Sequence, residues 1–165
     1  MAKTYEPIAT TTLGSAASNI TFTSVSQAYT DIVAIVYVPS NSINDDLYMQ
    51  FNSDTAGNYS NTTLRGNGTA ASSTRGSNTT GARFSDMSSP QTTTSNTSII
   101  NIMNYTNTTT YKSIVSRGNN AATGVEAFAS IWRATPTAIN AIKFYPASGN
   151  MDTGTIITLY GIKAA

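Results

Sequence analysis

A chain of 165 residues with 39% apolar residues is long enough for one domain with a buried core, and a formal net charge of +1 provides no field to hold a nucleic-acid backbone. It contains no histidine and no cysteine, which excludes a Ser-His-Asp triad, a Cys-His dyad and a Cys/His zinc site and leaves eight carboxylates as acid–base groups. Thr, Ser and Asn make up about two-fifths of the sequence, yet nine Tyr, five Phe, one Trp and many Ile and Val separate it from disordered chains.

No apolar run approaches the ~18 residues needed to span a bilayer, and no apolar segment follows Lys3 as one would in a secretion leader. The expectation is a chain made and folded in a cytoplasm, with no membrane and no nucleic acid among its partners.

Along the chain, the apolar residues recur with period two or in short continuous bursts, which is strand behaviour. The Thr-rich start with Pro7 reads as an extended arm over residues 1–15, ahead of a single sandwich domain over 16–165. Ile20 and Phe22 mark a half-buried strand, and Ser24–Thr30 is the best candidate for a short helical turn. Ile32 to Val38 is a continuous β-branched run, expected as a central strand covered on both faces or with one face in an interface. Leu47, Met49 and Phe51 alternate with polar neighbours, and Tyr59 to Arg65 forms a weaker polar strand. Gly66 to Gly76 has no large apolar side chain and reads as a mobile loop or a close backbone approach.

A further polar strand is expected around Asn78–Phe84, and Ser85 to Ser95 is a second loop. Strands follow around Ile99–Met103 and Tyr111–Arg117, with a turn at Gly118-Asn119-Asn120. Val125, Ala127, Ala129 and Ile131 alternate with Glu126, Phe128, Ser130 and Trp132, so that strand has two apolar faces. Ile139–Tyr145 and Thr155–Lys163 complete the series. This spacing of about eight to ten strands without a long amphipathic helix predicts an all-β, antiparallel two-sheet sandwich of jelly-roll-like form.

Among the carboxylates, Asp45-Asp46 is the only adjacent pair, and neighbours in a strand point to opposite faces, so a turn before Leu47 is the simpler reading than a glycosidase pair. Asp45, Asp46 and Asp54 could also supply oxygens to a calcium ion, although their spacing matches no calcium loop. Eight Asn-x-Ser/Thr triplets occur where so much Ser and Thr produces about five by chance, and they read as composition rather than as sites. Trp132, Phe128 and Tyr160 are candidates for an oligomer interface, with the tyrosines as an alternative sugar-stacking platform. Arg65, Asn67, Arg75 and Arg83 are candidates for exposed binding loops.

Several stretches are familiar together: Thr4-Tyr5-Glu6-Pro7-Ile8-Ala9-Thr10-Thr11-Thr12-Leu13-Gly14, then Asn58-Tyr59-Ser60 with Leu64-Arg65-Gly66-Asn67-Gly68, then Ile131-Trp132-Arg133, and the ending Leu159-Tyr160-Gly161-Ile162-Lys163-Ala164-Ala165. In order and over nearly the whole chain, this resembles a family of small virion structural proteins of tailed bacteriophages, of the cyanophage and marine-phage type. The resemblance implies a component on the exterior of the particle, assembled as a symmetric oligomer, and it carries no catalytic motif.

The expectation is therefore a non-enzymatic protein without cofactor or metal, an external capsid decoration (cement) protein acting as a homotrimer. Its partners would be further copies of itself and the major capsid protein or other virion proteins. The arm, through Tyr5, Pro7, Ile8 and Leu13, would touch the capsid or a neighbouring copy. The alternative is a tail-fibre or fibre-tip module that binds host-surface carbohydrate. No coiled-coil heptads or shaft-like segment supports that alternative.

Overall fold

A computed structural model describes residues 4–39, 45–86, 95–120 (the last by its backbone only) and 124–163. These form twelve strands: β1 (Tyr5–Thr12), β2 (Ile20–Phe22), β3 (Asp31–Val38), β4 (Leu47–Phe51), β5 (Tyr59–Gly66), β6 (Ala71–Thr79), β7 (Ala82–Ser85), β8 (Asn96–Met103), β9 (Lys112–Asn120), β10 (Gly124–Trp132), β11 (Ile142–Pro146) and β12 (Ile156–Ile162). They build two antiparallel sheets, an eight-stranded one in the order β1-β12-β3-β8-β9-β10-β5-β6 and a four-stranded one in the order β2-β11-β4-β7. The all-β antiparallel sandwich is as the periodicity predicts, with more strands than expected.

The core lies between the sheets. Ile32, Ala34, Val36 and Val38 of β3 enter it from the large sheet, with Ile100 and Ile102 of β8 and Ile157 and Leu159 of β12 beside them. Leu47, Met49 and Phe51 of β4 meet them from the small sheet, with Phe144 packed edge-on against both Phe22 and Phe84. Period-two alternation places every second residue of these strands here, which is why the bursts are short.

Four local readings change. Residues 5–12 are extended, but as an edge strand zipped to β12 of the same chain, and Ile8, Ala9 and Leu13 pack against the core. The segment from Gly66 to Gly76 is a hairpin rather than a mobile loop. The Asn67 side-chain oxygen accepts from the Thr69 and Ala70 amides (3.0 and 2.7 Å), Gly68 takes φ +87°, and β6 returns along β5. At a sheet edge such a strand needs no large apolar side chain. Gly118-Asn119-Asn120 stays within β9, because β8 and β10 satisfy its backbone from both sides. Ser24–Thr30 forms bends and no helix. Most of the expected loop from Ser85 to Ser95 lies outside the described residues.

Candidate interaction face and polar clusters

Trp132 is 3% exposed and Phe128 1%, so neither is offered to a partner. The alternation along β10 is correctly legible, but its inner side is the one bearing Glu126, Phe128, Ser130 and Trp132. The Trp132 ring stacks on Tyr59 (centroids 6.2 Å apart) and meets Phe51 edge-on. Its indole N–H donates to Asp54 Oδ2 at 2.6 Å, an oxygen that also accepts from Asn58 Nδ2, while Asp54 Oδ1 accepts from the Ala56 amide. Burial pushes the Asp54 carboxyl up, but these three donors outweigh it and hold the pKa below the usual value. The Tyr59 hydroxyl accepts from the Phe51 amide, tying β5 to the end of β4.

A second cluster fastens β7 to the large sheet. Arg83 pairs with Asp46 and, at 2.8 Å, with Asp86, whose same oxygen lies 3.4 Å from Arg65. Glu126, only 6% exposed, accepts from Ser85 Oγ and the Asp86 amide, both at 2.9 Å. Burial raises the pKa of both Glu126 and Asp46, against the pull of their hydrogen-bond and arginine partners. The guanidinium of Arg83 also lies over Phe128. Arg65 and Arg83 are therefore ion-pair partners between elements, and Asn67 is a turn cap. Of the four loop candidates Asn67 and Arg75 stand exposed, the first in the β5–β6 turn and the second on β6.

The aspartates weighed for a cation are dispersed. Asp45 accepts from Ser148, Asp46 pairs with Arg83, and Asp54 serves Trp132. Among the described residues, no three Asp or Glu side chains are grouped so as to hold a metal ion.

The outer face of the eight-stranded sheet has a different character. Register aligns its outward residues in rows across the strands. One row runs Thr158–Ile35–Ile99–Arg117–Ala127–Leu64, and the next runs Ile156–Tyr37–Thr97–Asn119–Val125–Gly66. Of the six large apolar residues exposed among the described ones, five lie on this face: Tyr5, Tyr37, Leu64, Val115 and Val125, the last two-thirds exposed at 63%. Tyr160, an interface candidate from the sequence, sits half-buried on the same face between Pro7 and Val33. Leu64, Val115 and Val125 are not among the sequence candidates; on β10 the alternation marks both sides as apolar and does not say which one faces out.

Shallow depressions of about 340 and 400 Å³ run along β5, lined by Thr62, Arg75, Ala129 and Ile131 in one and by Leu64, Ala71, Val125 and Ala127 in the other. On the outside of the small sheet, Tyr48 and Tyr145 stack at 5.8 Å beside a depression of about 390 Å³ that Asn78, Thr79 and Thr80 also line.

No family model matches this chain, and no curated protein matches it. Among solved structures it is similar to two mutants of the alginate lyase Aly36B, one in complex with alginate tetrasaccharide (TM-score 0.32, 12% identity, 94% of this chain and 80% of that one). The other is in complex with alginate trisaccharide (TM-score 0.30, 10% identity, 93% and 80%). Likeness at this level carries no argument about chemistry.

Proposed function

We propose that the chain is a structural subunit of a tailed-phage virion, an external decoration protein that stabilises the head. The observation that carries this reading is the uncovered apolar face of the eight-stranded sheet, which suits a protein whose work is contact with other proteins. The opening segment and the LYGIKAA ending, with their resemblance to virion proteins, supply the setting. Cement proteins stabilise a shell by adding buried area between neighbouring subunits, and a neutral, hydroxyl- and amide-rich surface keeps such contacts indifferent to mild changes of pH.

Counting copies per particle tests the proposal. Quantitative mass spectrometry of purified virions, with immunogold labelling, is expected to give hundreds of copies distributed over the head. A few dozen copies or fewer, confined to the tail, would overturn it.

The depression beside Tyr48 and Tyr145 favours a second reading, a fibre-tip module that holds a sugar against the aromatic pair. That reading predicts binding of the isolated oligomer to host-surface glycans, lost in Tyr145→Ala. No binding by wild-type protein in avid presentation would dispose of it.

A further inference from the structure

We infer that the outer face of the eight-stranded sheet is the surface through which two copies of this chain associate. The inference deepens the structural-subunit reading above, and rests on it, by naming the first partner of that face.

Size is the first argument. Eight strands ~4.8 Å apart and about seven residues long at ~3.3 Å per residue give a footprint on the order of 900 Å². A stable interface takes about 800 Å² from each partner. The face is therefore large enough to sustain an association by itself.

Composition is the second. The exposed Leu64, Val115 and Val125 project from a surface whose neighbouring outward positions are small, such as Ala127, Ala129 and Thr62, so ridges and hollows alternate on the same patch. An isologous contact requires this self-complementarity, since one patch must serve as both partners.

Charge is the third. The charged residues at the outward strand positions of the described sheet are Arg75, Arg117 and Asp31. Three charges over eight strands are few, so repulsion between two copies is confined to Arg75 and Arg117, which stand beside Thr62 and Ala127.

The edges of the sheet point the same way at one side. On β1, Pro7 and the bulge between Pro7 and Ala9 interrupt the ladder, which opposes sheet extension there and leaves face packing.

The test is the mass of the isolated full chain by light scattering and sedimentation equilibrium at micromolar concentration. Wild type is expected as a dimer of about 35 kDa, twice the mass of the single chain. The double variant Leu64→Glu and Val125→Glu is expected at the 17.4 kDa of the single chain, with circular dichroism and melting unchanged within a few degrees. Should that variant misfold, Val115→Lys probes the same face with one charge. Thr21→Glu, on the exposed outward side of the four-stranded sheet, should leave the oligomer intact. A monomeric wild type, or a folded face variant that retains wild-type mass, overturns the inference. An oligomer found only on tails would instead overturn the head-decoration reading and leave this interface standing.

Discussion

Asp54 shows how much a single polar residue holds in a chain with so few charges. Its carboxylate collects donors from Trp132, Asn58 and the Ala56 amide, joining the β4–β5 turn to the end of β10. Because its folded pKa lies below the unfolded value of about 3.9, its contribution is fully present above that value and is lost as pH falls through the lower, folded one. Glu126 and Asp46, whose folded pKa values are raised, act with the opposite sign, so their contribution is present at acid pH and is lost as pH rises through those values. Asp54→Asn is therefore expected to lower stability at pH 7 by about 1–2 kcal/mol and to weaken the acid-side loss. Thermal melts from pH 7 to pH 3 check both, and an unchanged acid limb would count against Asp54 as its source. Gly161, inside the ending that carries the resemblance, has an equally local cause: a Cβ there would lie 2.2 Å from Cγ of Tyr29. The ring of Tyr29 lies over the glycine and its hydroxyl donates to Glu6 at 3.0 Å. Gly161→Ala should cost about 1–3 kcal/mol by overpacking, and most of that penalty should vanish in a Tyr29→Ala background. The Asn-x-Thr triplets also gain a role at this scale, since Asn67 and Asn107 each cap a turn through the side-chain oxygen. Composition alone shows such triplets as chance, because the capping bond depends on the backbone path around them.

At the scale of elements, the strands most closely anticipated are those dense in apolar residues, β4, β10 and β12 by their alternation and β3 by its continuous β-branched run. The polar edge strands were harder to read. β6 has no apolar pattern since neither of its sides enters the core, and its existence follows from pairing with β5 alone. β1 is the converse, a Thr-rich segment that looked free and is held by β12. Removing residues 1–12 should therefore strip the cover from β12 and from the core beside Ile8 and Ala9. The expected outcome is a lower melting temperature and aggregation at the newly opened edge, measured by calorimetry and light scattering. A fully stable, soluble remainder would show that the segment acts only as an arm. The β7 strand offers a sharper test of its ion pairs. Arg83→Met takes the guanidinium from the mostly buried Asp46 and leaves Asp86 to the longer pair with Arg65. A loss of about 1–3 kcal/mol is expected, with faster hydrogen exchange confined to β7 and its neighbours.

For the whole molecule, composition, alternation and the run of turn residues were sufficient to determine an antiparallel β-sandwich without histidine or cysteine chemistry, since period-two burial and the missing side-chain types are properties of the chain itself. Which side of each strand faces inward was decided only by the tertiary structure. β10 has apolar residues on both sides, and local pattern cannot distinguish a side that packs on a second sheet from one that is left outside. The four-stranded sheet settles this by covering Phe128 and Trp132, and the eight-stranded sheet, wider than its partner, presents Val125, Leu64 and Val115 outward. The same pairing turns isolated carboxylates into clamps, because Asp46, Asp86 and Glu126 are distant in sequence and meet only when β7 is laid across β5 and β10. A face is a property of register across strands, so its rows exist nowhere in the linear order.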